Sequence, residues 1–229
     1  MKPVGILGGM GPEATILLMQ KVLKAVPARD DSEHVPLIVH QNPQVPSRIA
    51  ALIDGGGTDP GPVLAGMARD LNAAGAQALA MPCNTAHHYA PAVKGATGLP
   101  FLNMIDLTAT ALVASGARRI GMLASPATRL VGVFDESFAE HGLQPVWTQD
   151  EDAMLAMIRA VKAGKGQDDT GPEMAAQAQH LLECGADHLL IACTELSLLT
   201  AYLPKSAPWF DSLDCLTTAI VDFAKTAVP

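Results

Sequence analysis

Two cysteines, Cys83 and Cys193, are the side chains of this sequence best placed to do chemistry. Each closes a copy of one pattern: residues 67–83 read MARDLNAAGAQALAMPC, and residues 177–193 read QAQHLLECGADHLLIAC. Superposed at an offset of 110 residues, the copies share Ala68/Ala178, Leu71/Leu181, Gly75/Gly185, Ala76/Ala186, Leu79/Leu189 and Cys83/Cys193. The pattern reads as a helix, a Gly-centred turn, a buried strand, and a cysteine where the strand ends. Ligands of open parallel sheets bind beyond the carboxyl ends of the strands. A thiol beside a helix N-terminus is shifted towards thiolate, which suits a group that must alternate between base and acid. Two such thiols on opposite faces of a carbon acid can invert it: one removes the α-proton and the other delivers a proton to the opposite face. A single strand-end cysteine is as readily a small buried hydrophobe. The duplication, with Asn84-Thr85 after one thiol and Thr194-Glu195 after the other, argues for function. Cys184 and Cys215 lack that setting.

The chain that must hold these thiols has 229 residues, enough for one large or two small domains. With 49% apolar and 17% charged residues, the sequence reads as a globular protein with ample core. A net charge of −8 argues against nucleic acid or an anionic membrane as partner. It leaves room for a small anionic substrate held by local cations. The opening MKPVGILGGMGPEA lacks a signal-peptide pattern. No stretch approaches 18 apolar residues free of Gly, Pro or charge. The four cysteines show no C-x-x-C spacing. The expectation is a reduced, cytoplasmic enzyme.

Short apolar runs alternate with longer helical patterns, the signature of βαβ units and a parallel sheet. VGIL (4–7) feeds the turn GGMGP and a helix whose face Ile16, Leu17, Met19, Leu23 and Val26 is expected to meet the core. VPLIVHQNP, a surface loop over 53–62, a helix over 63–74, the first cysteine strand and LPFLNM (99–104) complete a half. The second half repeats the order. A helix over 106–115 precedes RRIGMLASPAT, then come a helix over 129–141 and LQPVWTQDE. A helix over 151–163, a loop over 163–172 and a helix over 173–184 lead to the second cysteine strand. PWFDSLDCLTTAIVDFAKTAV adds a strand and a final helix. The expected fold class is α/β: two similar lobes, each a roughly four-stranded, mainly parallel sheet flanked by helices, related by pseudo-twofold symmetry. Residues 1–104 with 208–229 form the first lobe and 105–207 the second.

The same residues carry a resemblance. MPCNTAH (81–87), ACTELS (192–197) and GGMGPEAT (8–15) resemble the aspartate/glutamate racemase superfamily, and within it the cofactor-independent aspartate racemases. Glutamate racemases of wall synthesis follow the second cysteine with Thr-His, whereas Glu195 stands there in this chain. The resemblance implies an active site in the cleft between the lobes, a homodimer, and neither pyridoxal phosphate nor metal. It implies that Cys83 and Cys193 are the acid/base pair, and that Arg48 and Lys162 engage substrate carboxylates. Arginine offers a bidentate fork for that task. For Lys162, a solvated helix end is an equally open reading. Met10 and the glycines beside it are expected to close over the ligand with free backbone N–H groups. Asn84, Thr85, Thr194, Ser125 and Thr128 are expected to hydrogen-bond the ligand or to serve as caps. Glu195 and His87 are expected in support. The remaining histidines show no metal-binding spacing, and phosphate-loop motifs are lacking.

Two departures bear on the substrate. Pro46-Ser47-Arg48-Ile49 stands where relatives commonly read Pro-Asp-Arg-Thr, and ASPAT replaces a small-Thr-Gly-Thr turn. The leading expectation is racemisation of aspartate or a related acidic amino acid. Maleate isomerase or decarboxylase chemistry is the alternative within the superfamily. Outside it stand a non-catalytic amino-acid-binding protein and a thiol redox protein.

Overall fold

The computed structural model describes residues 1–53, 56–205 and 207–226. The expected loop over 53–62 therefore lies partly outside the described residues, at Asp54 and Gly55, as do residues 227–229 of the final segment. The chain divides into two compact units, Met1–Met104 with Leu213–Pro229, and Ile105–Ser212.

The first unit runs β1 (Val4–Gly8), α1 (Pro12–Ala25), β2 (Leu37–Gln41), α2 (Arg48–Leu52), α3 (Gly61–Ala73) and β3 (Ala78–Ala80). A 3₁₀ turn (Thr85–Tyr89), α4 (Ala90–Ala96) and β4 (Phe101–Leu102) come next. Then come α5 (Met104–Ala114), β5 (Arg119–Ala124), α6 (Pro126–Leu130), α7 (Asp135–His141), β6 (Gln144–Trp147), α8 (Glu151–Lys162), α9 (Gln167–Glu183) and β7 (His188–Ala192). A 3₁₀ segment (Leu196–Tyr202), β8 (Trp209–Asp211) and α10 (Ser212–Lys225) end the described chain. The sheets are β2-β1-β3-β4 and β6-β5-β7-β8, parallel at every pairing. The α/β reading with two equivalent four-stranded sheets is thus observed. The expected boundary places residues 208–212 in the first lobe; instead β8 hydrogen-bonds to β7 in the second sheet, and the chain joins the first unit only from Leu213.

The internal repeat has a physical cause. α3 and α9 each end in a Schellman motif, with Gly75 at φ 95° and Gly185 at φ 89°. Ala76 N–H donates to the Leu71 carbonyl, and Ala186 N–H to that of Leu181. The turn then rests on a glycine of the central strand. A Cβ on Gly5 would lie 2.9 Å from the Ala76 Cβ, and one on Gly121 would lie 2.9 Å from Leu189 and 3.1 Å from the Ala186 Cβ. Most of the shared positions are therefore one packing solution used twice.

Three expected elements differ. In α1 the buried residues are Ala14, Thr15, Leu18 and Val22, while Ile16, Met19 and Leu23 are 49%, 41% and 54% exposed. Small residues set this face: a Cβ on Gly8 would meet Thr15 at 2.6 Å, so the helix lies close to β1 on its Ala14/Thr15 side. The expected helix over 129–141 is two short helices, parted at Gly132 in the left-handed region, φ 60°. α9 begins at Gln167 rather than 173 and contains Pro172. Its opening turns are held by Tyr202, whose hydroxyl donates to Asp168 at 2.8 Å and whose ring occupies the space a Cβ on Gly171 would need.

Candidate active site

Each sheet has one place where the chain, having gone one way from the central strand, returns to add strands on the other side. That switch point lies between β1 and β3 in one unit and between β5 and β7 in the other. Loops at the carboxyl ends there diverge and leave a crevice. Cys83 comes after β3 and Cys193 after β7, so both thiols stand at the switch point of their own sheet. β3 stops early because Pro82 has no N–H for the ladder, whereas β7 continues to Ala192. Both thiols are reduced and nearly covered, 8% exposed at Cys83 and 7% at Cys193. Each cysteine leads into a 3₁₀ segment rather than the α-helix N-terminus expected. The Leu196 N–H is already donated to the Cys193 carbonyl and so is not available to a thiolate, which weakens the argument from a helix dipole.

In the first unit the turn GGMGP is held from within. Gly9, at φ 96°, lies so close to Asn42 that a Cβ would stand 2.4 Å from its backbone, and its N–H donates to the Thr15 hydroxyl at 2.9 Å. That donor, expected for a ligand, is committed to the fold. Met10 is buried in the same apolar cluster as Cys83, with Leu7, Val45 and Met81. Asn84 and Thr85 are buried where the 3₁₀ turn begins. His87 ties the turn down: Nδ1 lies 2.8 Å from the Cys83 carbonyl, and Nε2 accepts the Met104 N–H at 3.2 Å. These partners require the neutral ring protonated on Nδ1. His87 thus anchors the backbone of Cys83 to the start of α5, just after β4.

Arg48 opens α2, and its Nη1 donates to the Pro46 carbonyl at 3.0 Å. Ser47, the residue that departs from the relatives' acid, caps α2 by accepting the Ala50 N–H at 3.2 Å. Tyr89 and Asp59 join this neighbourhood, which the spacing of motifs did not flag. Burial pushes the Tyr89 phenol above its ordinary pKa, Asp59 adds to the rise, and the Arg48 guanidinium opposes it.

In the second unit Ser125 caps α6 by accepting the Ala127 N–H at 3.3 Å, and Thr128 and Thr194 are buried. Lys162, the last residue of α8, is half-exposed and pairs with Glu195 at 3.2 Å. Glu195 in turn accepts the Cys193 thiol at 3.1 Å. Ser197, 110 residues after His87, donates to the buried Asp211 at 3.0 Å, so each cysteine turn is tied to the neighbouring strand's end. No grouping of three metal-binding side chains occurs among the described residues.

A family model described as Asp/Glu/Hydantoin racemase matches residues 7–220. The chain belongs to that family. The Picrophilus torridus aspartate racemase structure is 29% identical, with a TM-score of 0.85 over 100% of this chain and 96% of that one. A structure described as a putative Asp/Glu racemase from Yersinia pestis, 24% identical, shares the fold at a TM-score of 0.78 over 98% of this chain and 99% of that one. The broad specificity amino-acid racemase RacX of Bacillus subtilis (strain 168) is 24% identical over 95% of this chain and 96% of its own length. Racemases are isomerases, and this chain is an enzyme of that class. Among the described residues no helix is long and apolar enough to cross a membrane.

Proposed function

We propose that the protein racemises an acidic amino acid, aspartate foremost, using Cys83 and Cys193 as acid and base without a cofactor. The observation that carries this reading is the pair of covered thiols at equivalent switch points of two equivalent sheets. Inverting a stereocentre calls for two proton carriers facing opposite sides of one carbon, and a duplicated half-site supplies them. In this reading the two half-sites share one ligand. Arg48 takes a carboxylate and steadies the charge that develops as the α-proton leaves. Lys162 acts through Glu195, to which it is paired. With Ser47 spent as a cap, the side-chain socket is less acidic than in relatives with Asp there, which favours tolerance of other amino acids. The name of the Bacillus subtilis relative agrees with that tolerance. The test is incubation of each aspartate enantiomer with the purified protein in cofactor-free buffer, with the products resolved by chiral chromatography. Both directions converge on the racemate, and Cys83→Ala or Cys193→Ala abolishes conversion. An active Cys83→Ala protein would overturn the two-thiol mechanism.

The reading also includes a cytoplasmic homodimer, for which the α1 stripe is the candidate surface. Ile16, Met19 and Leu23 border a groove of about 450 Å³ reaching His34, Val35 and Leu37 beside the edge strand β2. The stripe is symmetric about Met19 and Gln20, so an antiparallel second copy sets Ile16 against Leu23.

A further inference from the structure

The half-sites match in position but differ in charge. The Cys193 thiol donates to Glu195 Oε2 at 3.1 Å, and Glu195 Oε1 lies 3.2 Å from the Lys162 ammonium. Two places after Cys83 stands Thr85, a neutral hydroxyl. Cys83 and Cys193 are almost equally covered, so burial does not distinguish them.

We infer that Glu195 is a positioning residue that keeps Cys193 in its thiol form in the resting protein, so that Cys193 begins as proton donor and Cys83 as proton acceptor. This rests on the two-thiol reading above. An ionised carboxylate that accepts the S–H bond stabilises the thiol and repels the thiolate, and both effects favour the protonated form. The Lys162 ammonium, 3.2 Å from the other carboxylate oxygen, offsets part of that repulsion. Cys193 also packs in an apolar cluster with Met157, Ile158 and Leu196. The remaining buried carboxylate beside the strand ends, Asp211, is engaged by Ser197.

In the resulting step the Cys83 thiolate takes the α-hydrogen as a proton, and the C–H electron pair stays on the substrate carbon. That carbon takes a proton from Cys193 on its other face, forming the new C–H bond and leaving Cys193 as thiolate. The protein then returns to its starting form as Cys83 loses a proton to solvent and Cys193 regains one, with Glu195 placed to pass it.

The test needs no substrate. Iodoacetamide alkylation is monitored at each cysteine by peptide mass spectrometry across a pH series. The midpoint of the rate reports the thiol's pKa, and the plateau reports access. In the unmodified protein Cys193 has the higher midpoint and reacts about tenfold more slowly than Cys83 at neutral pH. Glu195→Gln lowers the Cys193 midpoint and leaves its plateau and Cys83 unchanged, and Glu195→Asp restores the higher midpoint in part. A Cys193 midpoint at or below that of Cys83 overturns the inference. So does a Gln variant whose midpoint rises, which would make Glu195 an activating base, or one in which only the plateau changes. Absence of racemisation alongside the expected alkylation pattern would sink the proposed function and the donor and acceptor roles with it, leaving only the hold of Glu195 on the Cys193 thiol.

Discussion

His87 joins two backbone groups that no helix or strand satisfies, the Cys83 carbonyl and the Met104 N–H. Its replacement by Ala removes both of these buried hydrogen bonds, at a cost of about 1–3 kcal/mol. Thermal unfolding should show a loss of that order in His87→Ala, with any activity falling because Cys83 is less well held. An unchanged melting temperature would contradict the anchoring role. The two cysteines are legible in the sequence because the Schellman turn forces Leu, Gly and Ala to recur at fixed places before them. The pairing of Lys162 with Glu195 and of His87 with Met104 is not. Those contacts join residues 33 and 17 positions apart, and no periodicity records them.

Among the elements, α1 shows why a core face can be misread. Its sequence carries apolar residues around most of its circumference, and the side that packs is chosen by the small Gly8, Ala14 and Thr15. The apolar side left over makes a prediction. Met19→Lys with Leu23→Glu should convert the proposed dimer to a folded monomer in light scattering, since both residues are exposed and their loss leaves the core intact. Equal molar masses for the variant and the parent protein would remove the stripe from the interface. The start of α9 is hidden for a similar reason. Gly171 and Pro172 look like a loop in sequence and are admitted to a helix because Tyr202 packs over the glycine. Gly171→Ala drives a methyl into that ring and should destabilise by about 1–3 kcal/mol. Combining it with Tyr202→Ala should recover part of the loss.

The second sheet also carries a pH-sensitive tie. Burial alone would raise the Asp187 carboxyl, but the Arg119 N–H, His188 and the Arg118 N–H outweigh it and hold it below the usual carboxylate range. A carboxyl lowered in the folded state stabilises the fold at pH above its unfolded pKa. That contribution fades as pH falls through the folded value. Asp187→Asn should therefore unfold at a lower temperature than the parent protein near neutral pH, with the gap closing in acid. Because Asp187 is more than a third exposed, the gap should be small.

For the whole molecule, the proposed function rests on two thiols serving one carbon. Racemisation in deuterium oxide tests this most directly. One enantiomer of aspartate is supplied, and the α-deuterium of both enantiomers is measured early in the reaction. With two proton carriers on opposite faces, the product enantiomer carries a solvent deuteron at its α-carbon while the remaining substrate keeps its protium. Deuterium appearing in the substrate as fast as in the product would mean one group serving both faces, and would contradict the two-thiol mechanism.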